Sequence, residues 1–158
     1  SISVGVTQAT IDVCDNPIPE TVYEAKFSIQ HCISIAILSG KLGFDSFDSD
    51  ARRLALPFNR KITLQNDDKI EQRYPEAWGA EIKAKMKDGK VIKVHRENAK
   101  GDPDTPLSPE EMKEKAKMLF THAQIEDPSK WIEKILCIHK VNTSFSENDF
   151  YQLLDLQA

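Results

Sequence analysis

An almost wholly apolar helix that carries one histidine constrains this chain more than any other feature of its sequence. The segment Asn16–Gly40 reads NPIPETVYEAKFSIQHCISIAILSG, which predicts a proline-containing loop followed by a long helix over Val22–Ser39. A helix this apolar is buried around most of its circumference, so an ionisable side chain within it needs a reason to be there. His31 is therefore either a core histidine satisfied by one hydrogen bond or a side chain that the helix delivers to a site.

Capping signals mark the ends of this helix and of the next one. Thr21 and Glu24 have the spacing of a capping box at the start of the long helix, and Gly40 has the character of a left-handed residue at its end. After a turn over residues 43–48, Asp48 can cap a short helix that ends before Pro57.

Alternation of apolar and polar residues predicts the strands. The clearest alternation runs over Ala80–Met86, where glutamate and lysine separate the apolar positions. The other predicted extended segments are Ile2–Val6, Ile11–Val13 and Lys61–Leu64, and the polar stretch Asp67–Trp78 is predicted to be a loop.

The register of one hairpin can be argued from the sequence. A three-residue loop over residues 87–89, with Gly89 left-handed, pairs Ala84 with Ile92 and Ile82 with Val94. A two-residue turn would instead pair a lysine and a histidine with these residues and place charge on the buried face. Because a one-residue slip moves every side chain to the other face, we predict the first register.

The C-terminal third is predicted to be helical. Ser108, Pro109 and Glu111 form a helix-start signature, and Asp127-Pro128 starts a further helix with an apolar side that includes Trp131. A last helix, capped by Ser146, is predicted to run through residue 154. The predicted fold is α+β, with a small, mostly antiparallel sheet packed on the long buried helix, in one domain over residues 1–158.

Composition narrows the class of protein. A chain of 158 residues that is 40% hydrophobic and 29% charged can form a globular core without support from disulfide bonds or metal ions. A net charge of −4 with scattered lysines argues against nucleic acid and anionic membrane as partners. The apolar run Ile29–Leu38 is too short to span a bilayer. An odd count of three cysteines predicts reduced thiols in a cytoplasmic protein.

Three blocks of sequence, in order, resemble the C-terminal domain of the MmgE/PrpD family. They are VCDNPIPETVYEAKFSIQHC, AEIKAKMKDGK and KGDPDTPLSPEEM, and the resemblance extends from about Ile2 to about Leu119. The family includes 2-methylcitrate dehydratase, cis-aconitate decarboxylase and iminodisuccinate epimerase. Its members carry a large helical domain ahead of this one, and that domain supplies most of the active site.

The resemblance implies a role for the residues around His31. In relatives this position holds a tyrosine or histidine that lines the active site, so His31 is the candidate catalytic residue. An imidazole in the first turns of a helix, near the positive end of its dipole, could hydrogen-bond a polycarboxylate or transfer a proton.

Three neighbours of His31 are candidate substrate-binding residues, each with a simpler alternative. Lys26 could clamp a carboxylate or be a solvated lysine, and Asn16 could close over a ligand or form an Asx-turn. Gln30 could orient a substrate group or be an exposed helix glutamine.

The sequence offers little support for a metal or another cofactor. Cys137 and His139 lack the paired-cysteine spacing of structural zinc sites, and no nucleotide-binding glycine motif is present. Cys32 follows His31 directly, and consecutive helical residues diverge by about 100°, which is poor geometry for an activated thiol.

The resulting hypothesis is a domain that completes an active site. The parent enzyme would be a metal-independent lyase acting on a small polycarboxylate, with the preceding helical domain as partner and a homodimer possible. The chain begins at Ser1 without methionine, so we expect a fragment of a longer protein that is folded but inactive alone. The alternative is a free-standing α+β binding or interaction module in which His31 is a core residue.

Overall fold

The computed structural model describes residues 1–138 and confirms an α+β fold. The strands are β1 (Ile2–Val6), β2 (Ile62–Asn66), β3 (Ala80–Lys85) and β4 (Val91–Arg96). The helices are α1 (Gln8–Cys14), α2 (Val22–Lys26), α3 (Ile29–Ser39), α4 (Ser49–Asn59), α5 (Asp68–Glu71), α6 (Pro109–His122) and α7 (Pro128–Ile138), with a 3₁₀ turn at Phe44–Phe47.

The four strands form one sheet in the order β2-β1-β3-β4. β1 pairs with β2 in parallel, whereas the β1–β3 and β3–β4 pairs are antiparallel. The predicted small, mostly antiparallel sheet is therefore confirmed. The parallel pair requires a long crossover, and that crossover contains α1 to α4.

The core lies between this sheet and the first helices. Val4, Val6 and Ile62 are its most buried residues, from the two paired strands β1 and β2. Ile29 and Ile33, one turn apart on α3, pack against them, as do apolar residues of α1, β2 and β3. The sheet thus packs on α3, as predicted.

The predicted long helix over Val22–Ser39 is wrong in one respect, because it is two helices. α2 ends at Lys26 and α3 starts at Ile29. Between them Ser28 has extended backbone, and its hydroxyl accepts a 3.0 Å hydrogen bond from the N–H of His31. A serine that caps the next helix in this way competes with continuation of the preceding one.

The capping predictions at the two ends of that region are confirmed. Thr21 and Glu24 form the reciprocal capping box of α2. Gly40 ends α3 with φ of 74°, a left-handed conformation that a residue with a Cβ rarely adopts.

The predicted extended segment Ile11–Val13 is wrong, since these residues lie in α1. Thr7 ends β1 and caps α1, accepting a 3.2 Å hydrogen bond from the N–H of Thr10. The polar cap stops the strand after Val6, and the chain continues as a helix in which Ile11 packs against the core while Val13 is exposed.

Two further boundaries differ from prediction. α4 is capped by Asp48 as expected but continues through Pro57 to Asn59. The predicted loop Asp67–Trp78 contains the short helix α5, which Asp67 caps.

The hairpin register is confirmed. Ala84 pairs with Ile92, and Ile82 pairs with Val94. The Met86 N–H donates a 2.8 Å bond to the Lys90 carbonyl, and Gly89 has φ of 85°. The three-residue loop with a left-handed glycine is therefore present. The burial that this register was expected to give is found in β3, which is half-buried over most of its length. The edge strand β4 is exposed at every residue.

The chain divides into two compact units. The first, Ser1–Thr105, holds the sheet and α1 to α5. The second begins at Pro106, and its helix α6 starts with the predicted capping box of Ser108 and Glu111. α7 starts at Pro128, and its Ile132 is buried. The helix predicted after Ser146 lies outside the described residues, and a single domain over 1–158 stays a prediction.

Candidate functional site

His31 lies in the first turn of α3, three residues after its cap Ser28. The side chain has no solvent exposure. Its Nε2 lies 2.6 Å from the carbonyl oxygen of Ser46. Because a carbonyl oxygen only accepts, Nε2 carries the proton in the neutral ring, and Nδ1 is the basic nitrogen. Nδ1 is buried and has no hydrogen-bond partner among the residues that the structure describes.

The 3₁₀ turn Phe44–Phe47 covers the ring. The Phe47 ring centroid lies 5.8 Å from that of His31. Within the turn, the Gly43 N–H donates a 2.9 Å bond to the Ser46 hydroxyl. Arg52 of α4 donates a 2.7 Å bond from Nη1 to the Phe47 carbonyl. The turn is therefore fixed to α4 on one side and to the imidazole on the other.

Other polar side chains are buried near the start of α3 and at the end of α4. Gln30, Ser34 and Asn59 are each at most 1% exposed. Gln30 Oε1, Ser34 Oγ and both amide atoms of Asn59 have no hydrogen-bond partner within residues 1–138. Buried polar atoms of this kind are normally satisfied by ordered water or a ligand, since leaving one unsatisfied costs about 1 to 3 kcal/mol.

Gln30 is a buried residue, so the alternative of an exposed helix glutamine is wrong. Its Nε2 donates to the carboxylate of Asp15, at the end of α1. This bond ties the first turn of α3 to the loop that precedes α2. The side-chain carbonyl oxygen of Gln30 remains available to a group that enters this region.

Asn16 forms the Asx-turn that the sequence suggested. Its Oδ1 accepts a 3.1 Å bond from the N–H of Ile18, while its backbone carbonyl accepts a 2.6 Å bond from the hydroxyl of Ser28. Asn16 therefore anchors the start of α3, and its side-chain oxygen is already engaged.

Lys26 ends α2, and its side chain lies in solvent. The exposed aromatic residues Tyr23 and Phe27 lie beside it on the same short helix, with their rings 4.9 Å apart. The structure thus ties Gln30 and Asn16 to the contacts at the start of α3 and leaves Lys26 exposed.

A concave feature, which the sequence reasoning missed, lies on the face of the sheet opposite the core. Ile82 packs on the core, so its neighbours Glu81 and Lys83 point to the opposite face. There they line a cavity of about 400 Å³ under α5, together with Lys93 and His95 of β4. The sequence signal for this cavity was the set of charged residues that alternate with the apolar ones in β3 and β4.

The charges of this cavity are largely paired with one another. The Glu81 carboxylate lies 2.9 Å from Lys83 Nζ and 2.8 Å from Lys93 Nζ. These two ammonium groups, Lys93 first, lower the pKa of Glu81 to about 2, and Glu81 in turn raises the pKa of Lys83. This cluster stabilises the hairpin and contributes nothing to the surroundings of His31.

Neither of the two cysteines whose side chains the structure describes is an activated thiol. Cys14 and Cys32 are free thiols, and burial raises the pKa of both. No group of three or more histidine, cysteine or carboxylate side chains within the described residues could hold a metal ion. The pair Cys137 and His139 lies beyond the side chains that the structure describes.

The family comparison agrees with the motifs of the sequence. Residues 1–139 match the family model described as the MmgE/PrpD C-terminal domain. The curated proteins include no significant match. In residues 1–138, every helix is too short or too polar to cross a membrane.

Proposed function

Since the chain belongs to the MmgE/PrpD family as its C-terminal domain, we propose that it completes the active site of a lyase that acts on a small polycarboxylate. A 2-methylcitrate dehydratase-like reaction is the form we favour. The match over residues 1–139 carries this proposal, because it covers all of the first compact unit.

The chemistry would be removal of a proton alpha to a carboxylate, with departure of the β-hydroxyl as water. The Nε2–H of His31 is held by the Ser46 carbonyl, so Nδ1 is the nitrogen able to accept a proton. The Gln30 carbonyl oxygen, also buried and unpartnered within residues 1–138, would receive a hydrogen bond from a substrate hydroxyl. Asn16 and Lys26 would act at the edge, with Lys26 attracting a carboxylate.

The partner in this proposal is a helical domain of the same protein. α2 presents Tyr23 and Phe27 to solvent at 71% and 40% exposure, directly beside Lys26. Exposed aromatic residues around a cation are typical of a surface that another domain covers. The docked domain would supply the remaining acid, base and carboxylate-binding groups. The free thiols support a cytoplasmic protein, and homodimerisation through the partner domain is part of the same proposal.

One observation favours a second candidate function, a binding module without catalysis. His31 is fully enclosed, and its ring makes one hydrogen bond within residues 1–138, which is the geometry of a core histidine. In the catalytic proposal the 3₁₀ turn over the ring must move to admit substrate. In the binding module it has no reason to do so.

The test uses the full-length protein that contains this chain. Purified protein is mixed with 2-methylcitrate or cis-aconitate, and the ultraviolet absorbance of the conjugated alkene is followed. We expect His31→Gln to lower turnover by about a hundredfold or more, in the range of general acid–base contributions. The matched control is His95→Gln, an exposed histidine on the other sheet face, which should leave turnover unchanged. Full activity in His31→Gln would remove His31 from the reaction and favour the binding module.

A further inference from the structure

The turn that encloses His31 is held from the outside by one arginine. Arg52 lies in the first turns of α4, and its guanidinium reaches back five residues to the Phe47 carbonyl at 2.7 Å. Phe47 directly follows Ser46, whose own carbonyl accepts from the imidazole at 2.6 Å. The two carbonyls belong to consecutive residues, so fixing one restrains the other.

Two backbone hydrogen bonds lie within the turn and its C-terminal flank. The Ser46 N–H bonds the Gly43 carbonyl at 3.2 Å, and the Asp48 N–H lies 3.4 Å from the Asp45 carbonyl. These bonds close the turn on itself without tying it to a helix. Asp48 joins it to α4 as the helix cap. The charged hydrogen bond from Arg52 is the stronger kind of restraint, because one partner is ionised.

The neighbouring arginine differs in one respect that matters. Arg53 points outward and pairs with Asp50 at 3.0 Å, with both side chains more than 75% exposed. It has the same charge and lies on the same helix, but within the residues that the structure describes it makes no hydrogen bond to the turn. The pair Arg52 and Arg53 therefore separates the effect of the turn contact from that of helix charge.

We propose that Arg52 is a positioning residue for His31, holding the 3₁₀ turn closed over the ring and thereby keeping Nε2 as the protonated nitrogen. The inference rests on the proposed function for its catalytic meaning. Its structural part stands on the three contacts among Arg52, the turn and the ring. Release of the Phe47 carbonyl would let Ser46 withdraw, which opens the ring to solvent and frees Nε2.

Solvent access to the His31 ring can be measured without an assay of enzymatic activity. The full chain is incubated in D₂O, and exchange at the C2 position of each histidine is read by mass spectrometry. We expect Arg52→Ala to speed exchange at His31 by about tenfold to a hundredfold, the effect of losing one charge-assisted hydrogen bond on a local opening equilibrium. Exchange at His95, which lies on the opposite sheet face, should not change. Arg53→Ala should leave both histidines at their original rates.

Two results would overturn the proposal. One is a His31 rate in Arg52→Ala equal to that of the unaltered chain. The other is an equal acceleration at His31 and His95, which indicates general loosening of the fold. If Arg52→Ala does not fold, the tautomer of the unaltered chain decides. A long-range proton–nitrogen NMR spectrum should show His31 protonated at Nε2, and protonation at Nδ1 contradicts the contact with Ser46.

This test is separable from that of the proposed function. Unchanged turnover in His31→Gln would end the catalytic role while leaving the exchange result intact. The converse result is loss of turnover in His31→Gln together with unaltered exchange in Arg52→Ala. It would support a role of His31 in the reaction and contradict a role of Arg52 in positioning the ring.

Discussion

The hydroxyl of Ser28 donates a 2.6 Å hydrogen bond to the carbonyl oxygen of Asn16, twelve residues earlier in the chain. The same hydroxyl accepts from the N–H of His31 as the cap of α3. One buried oxygen atom thus fixes the proline-containing loop to the first turn of the helix and places the imidazole.

This double role predicts that Ser28→Ala is costly. We expect it to lower the free energy of unfolding by about 2 kcal/mol, the combined effect of a lost cap and of a carbonyl left without a partner. Urea denaturation followed by circular dichroism measures the change. Ser39→Ala, at the exposed end of the same helix, should change stability by less than about 0.5 kcal/mol. Equal effects of the two substitutions would contradict the assigned role of Ser28.

A second prediction concerns the close approach of two backbones before β3. A Cβ added at Gly79 would lie 3.0 Å from the Glu97 carbonyl oxygen and 3.1 Å from that of Arg96. Because both atoms are backbone, they cannot turn aside. We expect Gly79→Ala to cost about 1 to 3 kcal/mol through strain at the end of the hairpin.

The control for this prediction is another glycine with extended backbone. Gly43 has φ of −140°, and a Cβ there would meet nothing within 4 Å. Gly43→Ala should be neutral or slightly stabilising, because it restricts the unfolded chain. Thermal unfolding of both variants gives the comparison, and a Gly79→Ala melting temperature at or above that of Gly43→Ala would be inconsistent with the structure.

A third prediction follows from the ion cluster around Glu81. Its pKa is lowered to about 2 in the folded state by Lys93 and Lys83, from 4.5 in its unperturbed state. The carboxylate therefore contributes stability above pH 4.5, and this contribution is lost as the pH falls from 4.5 towards 2. The pKa of Lys83 is raised above 10.5. Its ammonium group therefore contributes stability below pH 10.5, and this contribution is lost as the pH rises beyond that value.

Glu81→Gln should remove the acid part of this dependence. We expect its melting temperature to lie below that of the unaltered chain at pH 7 and to converge with it near pH 2. Glu97→Gln, which removes a more exposed carboxylate 3.5 Å from Arg73, serves as the control and should not flatten the profile between pH 2 and 4.5. A parallel offset for Glu81→Gln at all pH values would refute the assignment.

A fourth prediction concerns the thiols. Burial raises the pKa of Cys14 and of Cys32 above the ordinary 9.0, so less thiolate is present at neutral pH than for an exposed cysteine. Alkylation by iodoacetamide, located by peptide mass spectrometry, should be slow at pH 7 and should still be accelerating above pH 9. A plateau below pH 8 at either residue would indicate an activated thiol instead.

Local signals in the sequence were sufficient for several elements. The capping boxes at Thr21 and Ser108 and the left-handed Gly40 depend on neighbours within four residues, and each was predicted correctly. The hairpin register was also predictable, since strand alternation and one turn glycine determine it.

Several of the errors occurred where contacts between residues distant in the sequence decide the structure. The helical periodicity of apolar residues runs unbroken through Ser28. The helix breaks there because the Ser28 hydroxyl donates a hydrogen bond to the Asn16 carbonyl. The exposure of Ile92 and Val94, at 44% and 48%, depends on how far the helical layer extends across the sheet, which strand alternation does not encode. The contact of Ser46 with His31 spans fifteen residues and a turn. The sequence therefore singled out His31 as the candidate residue without showing what encloses it.

The parallel pairing of β1 with β2 joins Ile2 to Ile62, sixty residues further along the chain. His31, its enclosing turn and Arg52 all lie within the connection between these two adjacent strands. The entropy of closing such a connection rises by only about 0.6 kcal/mol for each doubling of its length. This low cost applies to the loops that join the helices of the connection and not to α3, whose Ile29 and Ile33 pack against the core of the sheet. The lengths of the loops that join its helices can therefore change while the sheet that anchors the connection stays as it is.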